Sequence, residues 1–543
     1  MAWVRVILLL VFLSSGAGMA MVPNPFTTRP PAPLAAYSIP HTDVNPLGAN
    51  FFLEREVEEW KRELTFKMAR DVGIGWAKVQ FSWESIEPKK GQFFDEKYRQ
   101  STWDKYDAIV ALAEKYGLRL IVRLDRPPNW SRKDNQYPTA PPDNFKDYGD
   151  FVAAVVSRYR GRVEYYQIWN EPNIWPEWGA RGVRPEEYVA LLKVAYQRAK
   201  EANPNAVILS APLAQTLEKS PRDLNEIDYL GAMYQAGARP YFDILLANGY
   251  GFDRPPQDPP DPAVLNFSRV MLLREVMVRN GDATKAVWLN EFGWNASPPT
   301  FPPEKLFWRR VTEEEQARYT YQGIQMARSW GWVGVVNIWY FRQVGDITAD
   351  SSDYYFRLVD TDFTPRFAYY RIAELAQQLR VAPPGLQQET SPAAKKDGLW
   401  ALQLVKGASG GTVLVSASPG DSLTFTFYGT EVALLYQGDA DAGMLEVTVD
   451  GSTQEKRGVI DLYRPSASPQ SRVTLAQGLS PGVHTLKLTV TAQRNPASLG
   501  RRAIIDGFEV AYRPSWRPFY DLVVLNGLSL LLLIASFRWK RAR

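Results

Sequence analysis

The chain has 543 residues, with 63 Lys and Arg against 59 Asp and Glu for a formal net charge of +4, two His and no Cys. The absence of Cys excludes disulfides, thiol nucleophiles, thiolate zinc sites and iron–sulfur clusters, and the near-balanced charge argues against nucleic acid as a partner. His41 and His484 fall in different expected domains, too far apart for a Ser-His-Asp triad or a multi-histidine metal site, so carboxylate chemistry without metal or cofactor is what remains.

Residues 1–21 carry Arg5, an unbroken apolar stretch from Val6 to Leu13 and small residues ending in Ala17 and Ala20. That is the pattern of a secretory signal peptide, with an uncleaved N-terminal anchor as its rival. Pro23, Pro25, Pro30, Pro31 and Pro33 make residues 22–34 a stiff, extended lead-in. From 35 to 380 short apolar runs alternate with longer helical patterns. The runs are Trp76–Phe81, Leu118–Leu124, Val163–Trp169, Ala206–Ala211, Phe242–Ala247, Ala286–Leu289 and Val333–Trp339, with a weaker first strand expected near Ala35–Ile39. Among the helices, 185–200 opens on Pro185 and places Tyr188, Leu191, Leu192 and Ala195 on one face. Eight strand–helix units predict an α/β (β/α)8 TIM barrel.

Connections into the strands are short, as in Asn203-Pro204-Asn205, whereas those leaving them are long: 125–143, 170–184, 248–262, 290–312 and 340–363. Long loops in a compact domain are commonly functional, and in a barrel these gather at the C-terminal face of the strands. Residues 381–395 are expected to be a linker. Residues 396–513 then alternate with period two, as in Leu423, Phe425, Phe427 and in Leu445, Val447, Val449 before Asp450-Gly451. They predict an all-β sandwich. Its texture resembles the galactose-binding-like sandwiches that accompany carbohydrate enzymes, and a spacer holding the catalytic domain off the membrane is the alternative. Leu522–Phe537 is almost wholly apolar and flanked by Trp516, Phe519, Tyr520 and Trp539. A transmembrane helix over 519–537 follows, with a basic cytoplasmic tail at 538–543 and the barrel outside the cell.

Two glutamates sit at predicted strand ends in aromatic surroundings: Trp169-Asn170-Glu171-Pro172 after the fourth strand and Asn290-Glu291-Phe292-Gly293 after the seventh. Carboxylates on opposite sides of one barrel mouth suit glycosidic hydrolysis, in which one protonates the leaving oxygen and the other acts on the far face of the sugar. Asn170-Glu171-Pro172 with Glu291-Phe292-Gly293 in this strand register resembles clan A of the glycoside hydrolases, retaining enzymes that include families 5 and 39. The resemblance implies that Glu171 is the general acid/base, Glu291 the nucleophile and Asn170 a partner of the substrate 2-hydroxyl. It further implies that Tyr250 hydrogen-bonds the nucleophile, that Trp339 stacks a sugar ring, and that Trp83 and Asn248 join the substrate-binding set. Retention follows if the carboxyls lie about 5–5.5 Å apart.

Glu87 in the same segment as Trp83 is expected to cap its loop, and Asp125 with Arg126 to form a local ion pair. Asp346 and Asp350 remain open between loop caps, subsite contacts and an ion site. The chain departs from many relatives in carrying Lys78 where they have Arg and Asn248 where they have His. The expected function is a retaining glycoside hydrolase acting on extracellular polysaccharide or oligosaccharide. The alternatives are a transglycosylase using the same intermediate and a non-catalytic carbohydrate-binding protein at the cell surface.

Overall fold

The computed structural model describes residues 2–21, 39–345, 347–405, 407–453 and 458–538, so that the lead-in 22–34, Asp346 and the tail past Arg538 lie outside it. The chain divides into two compact units, Tyr37–Leu379 and Arg380–Arg543 together with Met1–Ala36.

The first unit is a (β/α)8 barrel. Its strands are β1 (Leu47–Phe51), β2 (Trp76–Ser82), β3 (Arg119–Asp125), β4 (Tyr165–Ile168), β5 (Val207–Leu209), β6 (Leu245–Tyr250), β7 (Val287–Gly293) and β8 (Val333–Ile338). They pair in parallel in the order β5-β4-β3-β2-β1-β8-β7-β6, and a parallel bridge between Leu209 and Ile244 closes the circle. The first strand of the barrel is Leu47–Phe51, and the one expected near Ala35–Ile39 falls, as far as residue 38, outside the described residues. Hydropathy overlooks Leu47–Phe51 because small and polar residues, Gly48-Ala49-Asn50, separate its two large apolar ones. Close packing requires them: a Cβ on Gly48 would lie 2.3 Å from Asn337 Oδ1 and 2.8 Å from Val335 Cγ1.

Inward-facing positions change character up the barrel. Trp76, Tyr165 and Trp288 plug the N-terminal end with Ile121 and Val335, Tyr165 stacking on Trp288 at 5.0 Å and Trp76 meeting Trp288 edge-on at 4.8 Å. An aromatic side chain buries roughly 150–250 Å², about 4–6 kcal/mol of gross hydrophobic stabilisation. Two residues further along the same strands, alternation places Lys78, Arg123, Gln167, Asn290 and Asn337 on the same inner face. The barrel is therefore dry at its base and polar at its mouth. Outside, helix Pro185–Ala202 buries Tyr188, Leu191, Leu192 and Ala195 against the strands, with Pro185 in its first turn.

The second unit holds an antiparallel β domain built on two long strands, Ser422–Gly438 and Ser468–Val490, which pair with each other. Leu423, Phe425, Phe427, Leu445, Val447, Val449, Leu486, Leu488 and Val490 form its core as their alternation predicts. Asp450 and Gly451, at φ 52° and 74°, make the tight hairpin between Met444–Val449 and Ser452–Thr453. The expected linker 381–395 contains strand: Gly385–Gln388 pairs with Ala503–Ala511, and Ala394–Asp397, which begins at its end, with Ser422–Gly438. Its polar composition misleads because Gln387, Gln388 and Glu389 are buried. Glu389 accepts a hydrogen bond from Thr412 Oγ1, so burial there is compensated.

Two apolar helices complete this unit, Ala2–Met21 and Arg517–Arg538. The segment Arg517–Ser536 is long and apolar enough to cross a membrane. The helices pack antiparallel. Asn526 Nδ2 donates to Phe12 O at 2.8 Å and to Ser15 Oγ at 3.0 Å, and Arg5 Nε donates to Ser536 Oγ at 3.2 Å. An amide within an apolar helix needs such partners, and here the other helix supplies them.

Candidate active site

Strand register brings the two glutamates together. Glu291 lies inside β7, one turn of the pleat before its end, where Asn248 of β6 is its neighbour. Glu171 follows β4 in a loop that bends sharply: Trp169 and Glu171 both hold positive φ, 72° and 41°. Such conformations are costly for residues with a Cβ and cluster at functional sites. Asn248 Nδ2 donates to Glu171 Oε1 at 2.5 Å, while Asn290 Nδ2 donates to Asn248 Oδ1 at 3.1 Å. Asn248 thus holds one glutamate from the strand position beside the other. Its place is that of a positioning group for Glu171.

Each carboxyl has a distinct environment. Tyr250 Oη donates to Glu291 Oε2 at 2.7 Å, and Lys78 Nζ stands 3.5 Å from Oε1. Lys78 is buried and its ammonium has no hydrogen-bond acceptor. Burial pulls its pKa down from 10.5 to about 8, against the attraction of Glu291. Burial, reinforced by the charge of Glu291, holds the Glu171 carboxyl well above the usual carboxylate range. The same two causes raise the Tyr250 hydroxyl far above its ordinary value, which leaves it a permanent donor to Glu291. The arrangement sets a carboxyl with a raised pKa beside a carboxyl that accepts a hydrogen bond from Tyr250 and has the Lys78 ammonium 3.5 Å away. It can deliver a proton to one atom while presenting an acceptor oxygen to its neighbour.

Asn170 is buried beside Glu171, and its Oδ1 receives no hydrogen bond. Trp339 follows β8, meets Phe52 edge-on at 5.6 Å and lines a cavity together with Asn50, Lys78 and Arg123. Trp83 corrects the expectation of a sugar contact. It is fully buried, stacks on Phe151 at 5.3 Å and donates its Nε1–H to Glu87 Oε2 at 2.7 Å. Both its face and its donor are used by the fold. Glu87 also accepts from Gly91 N at 2.7 Å, the capping role expected of it. Asp125 pairs with Arg123 at 2.5 Å and accepts from Gln80 Nε2 at 2.6 Å, so its cation is not Arg126, which lies 3.8 Å from Glu84. Asp350 is exposed and accepts from its neighbour Thr348.

Sequence reasoning missed several lining residues. Arg123 was detectable as a charge inside the apolar run Arg119–Asp125, at an inward position. Trp308, centred 4.4 Å from the Tyr250 ring, and Glu177 arrive from loops, where no periodicity marks a side chain as inward.

No family model matches the sequence, and no curated protein matches it. Among solved structures the chain is similar to a family 39 glycoside hydrolase from the gut symbiont Bacteroides cellulosilyticus WH2, at 18% identity and TM-score 0.46, covering 84% of this chain and 82% of that one. A GH5_18 protein from Streptomyces cattleya is similar at 14% identity and TM-score 0.47, covering 63% and 82%. An exo-beta-1,4-mannosidase from Opitutaceae bacterium strain TAV5 is similar at 17% identity and TM-score 0.44, covering 63% and 61%.

Proposed function

We propose that the protein is a retaining glycoside hydrolase that uses Glu171 as acid/base and Glu291 as nucleophile. The observation that carries this reading is the pairing itself. A carboxyl whose pKa is raised by burial and held by Asn248 stands beside a second one that accepts from Tyr250 and has Lys78 3.5 Å away. In the first step Glu291 forms a bond to the anomeric carbon, the glycosidic C–O bond breaks, and Glu171 gives its proton to the departing oxygen. In the second, Glu171 takes a proton from water, whose oxygen displaces Glu291 from the anomeric carbon. The proton returns to Glu171 and the enzyme is restored. The free acceptor of Asn170 suits the substrate 2-hydroxyl, and Trp339 suits the apolar face of a pyranose ring.

The substrate is an extracellular polysaccharide or oligosaccharide. The N-terminal segment directs export, and the C-terminal helix tethers the barrel to the outer side of the membrane. Aryl β-glycosides and plant and bacterial polysaccharides, offered to wild type, Glu291→Ala and Glu171→Ala, test the reading. Wild type is expected to hydrolyse at least one of them with retention of anomeric configuration. Glu291→Ala abolishes turnover, and Glu171→Ala lowers it by roughly 10²–10⁴-fold on substrates with poor leaving groups but far less on activated aryl glycosides. Glycan binding by the wild type without turnover would replace hydrolysis with a surface-binding role.

A further inference from the structure

The two apolar helices of the second unit sort their side chains inside out. On Ala2–Met21, Ile7, Leu10 and Leu13 are exposed, and on Arg517–Arg538 so are Leu528, Leu531 and Leu532. The seam between them is polar instead: Ser15 and Ser529 are buried, and Asn526 Nδ2 donates across it to Phe12 O and Ser15 Oγ. A helical hairpin in water places its apolar residues in the seam and its polar ones outside. Lipid suits the reverse order, because helices there associate through small residues and interhelical hydrogen bonds while their apolar faces meet acyl chains.

Small residues near the end of the first helix bear on its fate. Ala17 and Ala20 give this segment the composition of a cleavage site. In the fold, Ala17–Met21 is helical, and the glycines beside it seat the other helix: a Cβ on Gly16 would lie 3.5 Å from Asn526 Nδ2, and one on Gly18 3.3 Å from Leu522 Cδ1. Removing the first helix would take both of these acceptors from Asn526, midway along an apolar helix, and leave its amide facing hydrocarbon.

Charge and length agree with a pair that spans. Antiparallel packing puts Arg5, which donates to Ser536 Oγ and to Ser536 O, at the end of the hairpin that leads to Lys540, Arg541 and Arg543. Basic flanks stay on the cytoplasmic side, so one orientation satisfies both helices and leaves residues 22–516 on the other side. The helices hold 20 and 22 residues, which at about 1.5 Å per residue matches a hydrocarbon core of about 30 Å.

We propose that Ala2–Met21 is retained after export as a second membrane-spanning helix, paired with Arg517–Arg538 through Ser15 and Asn526, so that the protein is anchored by both ends of its chain. The inference rests on the membrane tether of the proposed function and is independent of the hydrolytic chemistry.

The full-length protein is produced in a bacterial host that has its own signal peptidase, and the cells are separated into soluble and membrane fractions. Intact mass and N-terminal sequencing of the detergent-extracted protein are expected to find a chain that starts at Met1 or Ala2. Membrane-bound protein that has lost the first helix would overturn the retained anchor and leave the C-terminal tether standing. Protein recovered in the soluble fraction would overturn the tether, and this inference with it. The pairing is tested in the same chain, which has no Cys of its own. Iodine oxidation of Ser15→Cys combined with Asn526→Cys is expected to give an internal cross-link, read as a faster-migrating band that a reductant reverses. Leu13→Cys combined with Leu528→Cys, on the exposed faces, is expected to stay unlinked. An intact N-terminus without the 15–526 link, or equal linking in the two pairs, would overturn the pairing.

Discussion

Replacing Lys78 by Met removes the buried ammonium beside Glu291 and puts two large opposing energies in competition. At 3.5 Å and an effective dielectric constant near 20, the attraction between Nζ and Oε1 is about 5 kcal/mol. The lysine pKa nevertheless falls from 10.5 to about 8, so desolvation exceeds that attraction. A fall of that size corresponds to a cost of about 3 kcal/mol for holding the charged lysine in the fold, at about 1.4 kcal/mol per pH unit. Below pH 8 the lysine is charged in both folded and unfolded chains and the cost is fully present. Between pH 8 and 10.5 the unfolded chain binds more protons than the folded one, so wild-type stability rises with pH across that window.

Lys78→Met is therefore expected to raise barrel stability at pH 7 by about 3 kcal/mol, and this gain should vanish above pH 10.5. With an unfolding entropy of roughly 2.1 cal/mol/K per residue over Tyr37–Leu379, the melting temperature rises by about 4 °C. Activity moves the other way, with kcat/KM falling by roughly 10- to 100-fold because Glu291 loses the charge that orders it. Thermal melts followed by tryptophan fluorescence from pH 7 to 10.5, paired with initial rates, give both quantities. A variant less stable than wild type at pH 7 would refute the reasoning, since the ion pair would then outweigh the desolvation it requires.

Asn248→Ala removes the donor to Glu171 Oε1, a bond that favours the ionised carboxyl. Its alkaline limb of activity should shift to higher pH, while kcat/KM at the optimum falls by about 10- to 100-fold; a limb moving to lower pH would contradict the hydrogen-bond direction. Wild-type activity should decline on the alkaline side as Lys78, with its pKa near 8, and the Glu171 carboxyl, raised above the usual range, lose their protons, and a profile rising steadily to pH 10 would refute the acid role of Glu171. Arg269→Met leaves Glu226 fully buried without its guanidinium, which stands 2.6 Å away, and should cost about 3–5 kcal/mol in chemical denaturation. The same side chain donates to the carbonyls of Asp261, Pro262 and Val264, so limited proteolysis should find the loop after β6 newly exposed.

Periodicity and punctuation determined much of this molecule. Long apolar runs such as Val333–Ile338 announce strands because burial on both faces selects continuous hydrophobic sequence, and Pro185 marks a helix start because its missing N–H is harmless there. Glu171 and Glu291 were legible as a pair because strand count alone puts the ends of the fourth and seventh strands at one barrel mouth. Tertiary structure decided the rest. Leu47–Phe51 is a strand through close packing of Gly48 on Asn337, a contact between residues nearly three hundred apart, and no local pattern encodes it. The polar 385–388 segment is strand because Ala503–Ala511 supplies its partner groups. Trp83 was expected among the substrate-binding residues, but Phe151 and Glu87 occupy its face and its donor. How far the Glu171 carboxyl is raised depends on desolvation and on charges brought together from separate strands and loops. Sequence spacing carries the periodicity of each element; it does not carry the dielectric in which a side chain ends up.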